Sequence, residues 1–109
     1  MNQLLLDIIR FRDERNWKQY HNPKDLAISI SLEAAELLEH FQWSDWQEAA
    51  QDKRDDIADE LADVLIYCFT MADQMGFDLE TIIRSKMEKN ARKYPIDKAF
   101  GKKDKYDTL

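Results

Sequence analysis

Two predicted helices each carry a pair of carboxylates on a side that is otherwise apolar. Glu33 and Glu36 form the first pair, and Glu60 and Asp63 form the second. Residues three positions apart share one side of a helix and lie ~4.5 Å apart along its axis. If the two helices pack side by side, all four carboxylates converge. Such a cluster near a core is costly unless shared protons or a metal ion neutralise it.

The ligand type in this cluster predicts which ion would bind. A set made only of carboxylate oxygens is hard and anionic, which favours Mg²⁺, with Mn²⁺ as a substitute, over Zn²⁺. A single E-x-x-E segment is common and is usually a solvated helix face, so one copy would carry little weight. Two copies that both enter apolar faces of neighbouring helices favour a metal site.

Two metal chemistries are compatible with carboxylates on helices. Ferritin-like di-iron proteins use Glu-x-x-His on two helices, but here His40 lies four positions after Glu36 and His21 precedes the helix. The di-iron hypothesis is therefore weak. The other chemistry is metal-assisted phosphoryl transfer, in which carboxylate-held cations clamp phosphate oxygens and activate water.

The segments that would position these acids are all predicted to be helical. The 109 residues include only two glycines and two prolines, and no segment shows convincing strand alternation. We expect helices at about 2–15, 23–41, 45–51, 53–75 and 79–92. Residues suited to capping or ending these helices support the boundaries: Asn22 with Pro23 and Asp25, Ser44, Gly76, Asp78 and Pro95.

This pattern predicts an all-α bundle of four to five helices with mostly antiparallel neighbours. We expect one domain over residues 1–95, followed by a basic C-terminal tail over residues 96–109. A thin bundle of this length buries little core. Apolar side chains on the last helix exceed what one bundle can cover, so the chain is predicted to be oligomeric. They are Leu79, Ile82, Ile83 and Met87.

The distribution of charge limits the possible partners. Residues 1–83 carry 18 acidic and 7 basic side chains, whereas residues 84–109 carry 4 acidic and 9 basic ones. An acidic body argues against binding a nucleic-acid polymer, while the basic segment suits a small phosphorylated ligand.

Asp63 and Asp73 interrupt the apolar stretch of the long helix, which argues against a membrane span. The single Cys68 and the lack of a recognisable signal peptide fit a reducing cytoplasm.

Several segments resemble, in order and spacing, the MazG-like family of all-α nucleoside triphosphate pyrophosphohydrolases, in particular its single-domain dCTP pyrophosphatase branch. The first similarity is E-x-x-E followed, after 23 residues, by E-x-x-D. Longer matching segments are "FRDERNWKQYHNPKDLA" (11–27), "EAAELLEHFQW" (33–43), "DELADVLIY" (59–67) and "SKMEKNARKYP" (85–95). The resemblance covers most of residues 8–95.

The resemblance implies hydrolysis of a nucleotide between its α and β phosphates, with Mg²⁺, to a monophosphate and pyrophosphate. It implies these metal ligands in this chain: Glu33, Glu36, Glu60 and Asp63. It implies a base pocket lined by Trp17, Trp43 and Tyr67. It implies contacts to the phosphates and sugar from Lys86, Asn90, Lys93 and Tyr94. It also implies a homodimer or homotetramer whose sites are completed by a neighbouring chain.

The residues themselves agree with part of these roles. Lys86, Asn90 and Lys93 share one helix face, so the two lysines can offset charge on phosphate oxygens. Trp17 and Trp43 sit at helix ends beside polar breaks, where an aromatic ring can either join the core or stack on a base.

The mechanism we expect is in-line attack of a metal-activated water on the α-phosphorus. One of the four carboxylates would orient or deprotonate that water, with Glu36 as the first candidate and Glu33 as the second, and the sequence does not decide which. Ile8 stands where dCTP-cleaving relatives place a histidine toward the base, and Asp25 stands where relatives often have asparagine. The alternative function is a non-catalytic helical module that binds a nucleotide or a partner chain.

Overall fold

The computed structural model describes residues 2–103, and every regular element in that range is helical. The helices are α1 (Asn2–Glu14), α2 (Pro23–Gln42), α3 (Trp46–Asp52), α4 (Arg54–Met75), α5 (Leu79–Lys93) and α6 (Ile96–Ala99), with a single 3₁₀ turn at Lys18–Tyr20. The all-α prediction is confirmed. Within the described range the helices number six rather than four to five, because the one-turn α6 was not expected.

Local capping explains why the long helices begin and end where they do. The side chain of Asn22 accepts a hydrogen bond from the Asp25 backbone N–H at 2.9 Å, and Pro23 follows at the first helical position. Asp78 accepts from the Thr81 backbone N–H at 3.0 Å and caps α5. Gly76 ends α4 with φ 68°, a left-handed conformation that glycine adopts without steric cost. These three predictions are confirmed.

The start of α3 differs from the prediction that Ser44 caps it. The backbone N–H of Ser44 donates to the Phe41 carbonyl at 3.4 Å, so this residue closes the end of α2. Asp45 is the cap instead, and its carboxylate accepts from the Gln47 backbone N–H at 3.2 Å. A carboxylate at this position is also favoured by the positive end of the helix dipole.

Two compact units make up the chain, Met1–Gly76 and Phe77–Leu109. In the first unit, α4 is the central element, since α1, α2 and α3 all pack against it and α2 does so most extensively. Its buried apolar residues, within the part of the chain that the structure describes, are few: Leu26, Ala49, Phe69 and Ala72. The packing of α2 on α4 is the contact that brings Glu60 of the second acidic pair to the first pair, Glu33 and Glu36.

The second unit contains α5 and α6, and its α5 surface is largely exposed. Ile82, Ile83 and Met87 are exposed apolar side chains on α5. An ion pair between Arg84 and Glu80 at 3.2 Å joins successive turns of the same helix. None of the helices within residues 2–103 combines the length and apolar character needed to cross a bilayer.

Candidate active site

Three of the four predicted carboxylates lie together between α2 and α4. Glu33, Glu36 and Glu60 each direct a carboxylate oxygen to within 4.8 Å of the others. Glu33 and Glu60 are half-buried, whereas Glu36 is exposed at the edge of the group. The i, i+3 spacing on α2 and the packing of α4 beside it are sufficient to produce this cluster.

The cluster is poorly suited to holding its full negative charge. Partial burial, then hydrogen bonding to Glu36 and Glu60, and then the charges of Glu36 and Asp63 together raise the pKa of Glu33 to about 7. Burial is the largest cause that raises the pKa of Glu60, and Glu36 and Asp63 raise it further, whereas its hydrogen bond with Glu33 acts in the opposite direction. One oxygen of Glu33 and one of Glu60, both Oε2, are buried with no hydrogen-bond partner among the described residues. A cation would satisfy both oxygens and remove the charge repulsion.

Asp63 lies at the margin of this cluster rather than within it. It is outside the group of three oxygens, yet its charge helps to raise the pKa values of both Glu33 and Glu60. Asp63 and Glu33 also line the same cavity.

His40 approaches from α2, with its Nε2 atom 4.0 Å from Oε1 of Glu60. The side chains of Glu60 and His40 are therefore neighbours, a contact that the spacing of His40 from Glu36 alone did not indicate.

A cavity of about 300 Å³ opens beside the carboxylates, within the first unit. This is within the range of volumes that small-molecule sites occupy. Two of the predicted pocket residues, Trp17 and Tyr67, line it together with Glu33 and Asp63. The remaining lining residues are Ile8, Phe11, Arg12, His21, Ile66 and Thr70.

The wall contributed by α1 and the following turn is aromatic. Phe11 and Trp17 meet edge to face, with ring centroids 5.9 Å apart and planes at 70°. The guanidinium of Arg15 lies 3.6 Å from the centroid of the Phe11 ring, in a cation–π arrangement that stabilises this wall. Trp17 and Tyr67 thus provide flat apolar surface beside an acidic cluster, which suits a planar ring attached to a metal-bound phosphate.

Arg12 and His21 line the same cavity and were not among the predicted site residues. Arg12 is only 4% exposed, although it is always charged. Its Nε atom donates to Asp13 at 2.9 Å, and its Nη1 atom donates to Asp73 on α4 at 3.0 Å. The sequence did contain a signal, because Arg12 falls on the apolar side of α1 in line with Ile8. His21 lies in the irregular segment before α2, where periodicity carries no information.

The remaining predicted substrate-binding residues are Trp43 and four residues of the second unit. Trp43 is the C-terminal cap of α2, is 87% exposed and is not among the residues that line it. The other four belong to the second unit, with Lys86, Asn90 and Lys93 on α5 and Tyr94 directly after it. The base, phosphate and sugar contacts of these five residues stay predictions.

Comparison with known proteins places these features in a family context. Residues 28–109 match the MazG-like family. The dCTP pyrophosphatase 1 proteins of Mus musculus and Homo sapiens are each 38% identical in an alignment 104 residues long, and the alignment covers 91% of this chain and 61% of theirs. The chain therefore spans about six-tenths of the length of these relatives. A crystal structure of a pyrophosphatase from Archaeoglobus fulgidus has a TM-score of 0.84 at 44% identity and covers 87% of this chain and 92% of that one.

Proposed function

This chain belongs to the MazG-like family, and on that basis we propose that it hydrolyses a (deoxy)nucleoside triphosphate to the monophosphate and pyrophosphate. The observation that carries the proposal is the Glu33, Glu36 and Glu60 cluster at the edge of an aromatic cavity. The names of the relatives, dCTP pyrophosphatase 1 and a pyrophosphatase, support the same reaction class. A dCTP-like or modified nucleotide is the substrate we propose.

Mg²⁺ is the cofactor that these residues would hold best. The donors are carboxylate oxygens, and two of them, Oε2 of Glu33 and Oε2 of Glu60, are buried without a partner among the described residues. Glu33, Glu36 and Glu60 would hold the ion, with Asp63 as the fourth ligand. When bound, Mg²⁺ would offset charge on the phosphate oxygens and lower the pKa of a coordinated water. Mn²⁺ has similar ligand preferences and is the substitute we propose.

The protein's own groups divide the remaining work between them. Trp17 and Tyr67 offer flat surfaces on which a base can stack. Glu36 is the most exposed carboxylate of the cluster and therefore the best placed to orient or deprotonate a water that enters from solvent. Glu33 is the second candidate for this role, because it belongs to the same cluster and also lines the cavity.

The assembly we propose is a homodimer or homotetramer in the cytoplasm. Large apolar side chains are exposed along several helices of the chain, including Leu32 and Leu38 on α2 and Leu61 and Leu65 on α4. Such surface is expected where a second copy packs. The cytoplasmic location is an expectation from the nucleotide substrate and from the single cysteine, Cys68. Light scattering at micromolar concentration would give the mass of the assembly.

A hydrolysis screen with product identification tests the reaction. The full chain is incubated with canonical and modified (d)NTPs, with Mg²⁺ and with a chelator in its place. We expect monophosphate and pyrophosphate only when the metal is present. Diphosphate and orthophosphate as products would contradict cleavage between the α and β phosphates. Tight nucleotide binding without any turnover would favour the alternative, a non-catalytic nucleotide-binding module.

A further inference from the structure

The buried guanidinium of Arg12 is not explained by stability alone. A buried ion pair is often no more stabilising than apolar residues of the same size, because both charges lose their hydration. Arg12 has five N–H donors, and its bonds to Asp13 and Asp73 engage the Nε and Nη1 atoms. These two carboxylates hold the guanidinium in one orientation at the wall of the cavity. A fixed donor group at a cavity wall is an arrangement suited to recognising a ligand.

His21 provides the opposite hydrogen-bonding character beside Arg12. Its Nδ1 atom is buried and has no hydrogen-bond partner among the described residues, although the ring lines the cavity. Burial and then the charge of Arg12 lower the pKa of His21, so the ring is neutral at neutral pH. A neutral imidazole has one nitrogen that accepts a hydrogen bond. An unpaired buried nitrogen is costly, and a ligand group that donates to it would remove this cost.

The position of Asp73 along α4 shows that Arg12 lies away from the carboxylates. Asp63, Tyr67 and Thr70 line the cavity on successive turns of α4, and Asp73, one turn further, holds Arg12. Ten residues of helix span ~15 Å. The charge of Arg12 acts on His21, whereas the neighbours that shift the pKa of Glu33 are other carboxylates. A nucleotide with its phosphates at the carboxylates would therefore extend its base toward Arg12.

We propose that Arg12 and His21 together select the base, with Arg12 donating to ring acceptors and His21 Nδ1 accepting from an exocyclic amino group. Cytosine has this pattern, because its 4-amino group lies next to two acceptors, N3 and O2. Uracil and thymine carry a carbonyl at position 4 and an N–H at position 3. The carbonyl cannot donate to His21 Nδ1 and the N–H faces the Arg12 donor, so both contacts become unfavourable. The pair would thus supply the cytosine recognition that Ile8, an apolar residue in the same cavity, lacks.

The inference rests on the proposed function for its placement of the phosphates, but its test separates the two. Binding of dCMP and dUMP to the full chain is followed by tryptophan fluorescence, which requires no turnover. Hydrolysis of dCTP and dUTP is measured in parallel. We expect wild type to favour the cytosine nucleotide about tenfold or more in both assays, since one polar contact discriminates by about 10- to 100-fold.

The variants Arg12→Gln and His21→Leu remove one partner each. Both should weaken dCMP binding about 10- to 100-fold and abolish the preference over dUMP, mainly through KM in the kinetic assay. Arg10→Gln is the matched control, because Arg10 is an exposed arginine on the same helix, and it should bind as wild type does. If Arg12→Gln unfolds, Arg12→Lys is tested in its place, because it keeps a positive charge beside Asp73. It should also lose the preference for dCMP over dUMP, because an ammonium lacks the planar fork of the guanidinium.

Equal weakening of dCMP and dUMP in folded Arg12 variants would overturn the inference, since it would show a structural role only. A wild-type protein without preference for cytosine would also overturn it. If wild type hydrolyses no triphosphate but shows the expected binding pattern, the proposed function fails and the inference stands. If it hydrolyses dCTP and the Arg12 and His21 variants retain its base preference, the proposed function stands and the inference fails.

Discussion

Replacing Glu60 by glutamine should abolish the stabilisation of the folded protein by Mg²⁺. Glu60 is half-buried in the carboxylate cluster, and its charge raises the energy of the metal-free folded state. Glutamine keeps the shape of the side chain but removes one charge. The metal-free variant should therefore melt at the same temperature as metal-free wild type or higher. In wild type, Mg²⁺ that binds the folded state alone should raise the melting temperature, and this rise should be lost in Glu60→Gln.

The size of the rise follows from binding linkage. At a Mg²⁺ concentration ten times its Kd, the folded state gains about 1.4 kcal/mol. For a domain of about 100 residues, 1 kcal/mol shifts the melting temperature by about 4–8 °C. The expected rise in wild type is therefore about 6–11 °C. The measurement is thermal unfolding followed by circular dichroism in a Mg²⁺ titration, with chelator as the zero point.

Glu39→Gln is the matched control for this experiment. Glu39 is an exposed glutamate on α2, the helix that carries Glu33 and Glu36, and it is outside the cluster of three. Its variant should keep the full Mg²⁺-dependent rise, because the same charge change occurs away from the cluster. A rise in Glu60→Gln as large as in wild type would refute the reasoning and place the ion elsewhere.

Three further predictions concern catalysis, pH and binding. Asp63→Asn should keep its helical circular dichroism but lose turnover by about a hundredfold or more, and wild-type turnover would show that Asp63 is only structural. Without metal, the melting temperature of wild type relative to that of Glu33→Gln should fall as pH rises from about 4.5 to about 7, because folded Glu33 retains a proton that the unfolded chain has released. The comparison cancels the opposite effect of His21, whose lowered pKa is common to both proteins; a constant or rising difference across this window would contradict the prediction. Trp43→Ala should raise KM, since loss of base stacking costs roughly 1–3 kcal/mol, and should barely alter the melting temperature because its ring is 87% exposed; an unfolded variant would show that Trp43 is core.

Local chemistry explains why most helix boundaries could be predicted from the sequence. Asn22, Gly76 and Asp78 act on backbone groups only a few positions away, so their effect does not depend on the rest of the fold. The same holds for the spacing of Glu33 and Glu36, which one helical turn determines. Ser44 was the exception at a cap, because α3 begins at Trp46 and Asp45, not Ser44, therefore occupies the N-cap position.

Only the tertiary structure decided which side chains meet. Arg12 and Asp73 are 61 positions apart and form a 3.0 Å ion pair, which no local pattern can indicate. Glu60 joins the glutamates of α2, whereas Asp63 stays at the margin and Trp43 remains exposed. Burial and hydrogen bonding depend on how helices pack against each other. The sequence alone therefore determines which acids are present and how they are spaced. The packing of helices on α4 determines which of these carboxylates meet, how far their pKa values rise and which residues line the neighbouring cavity.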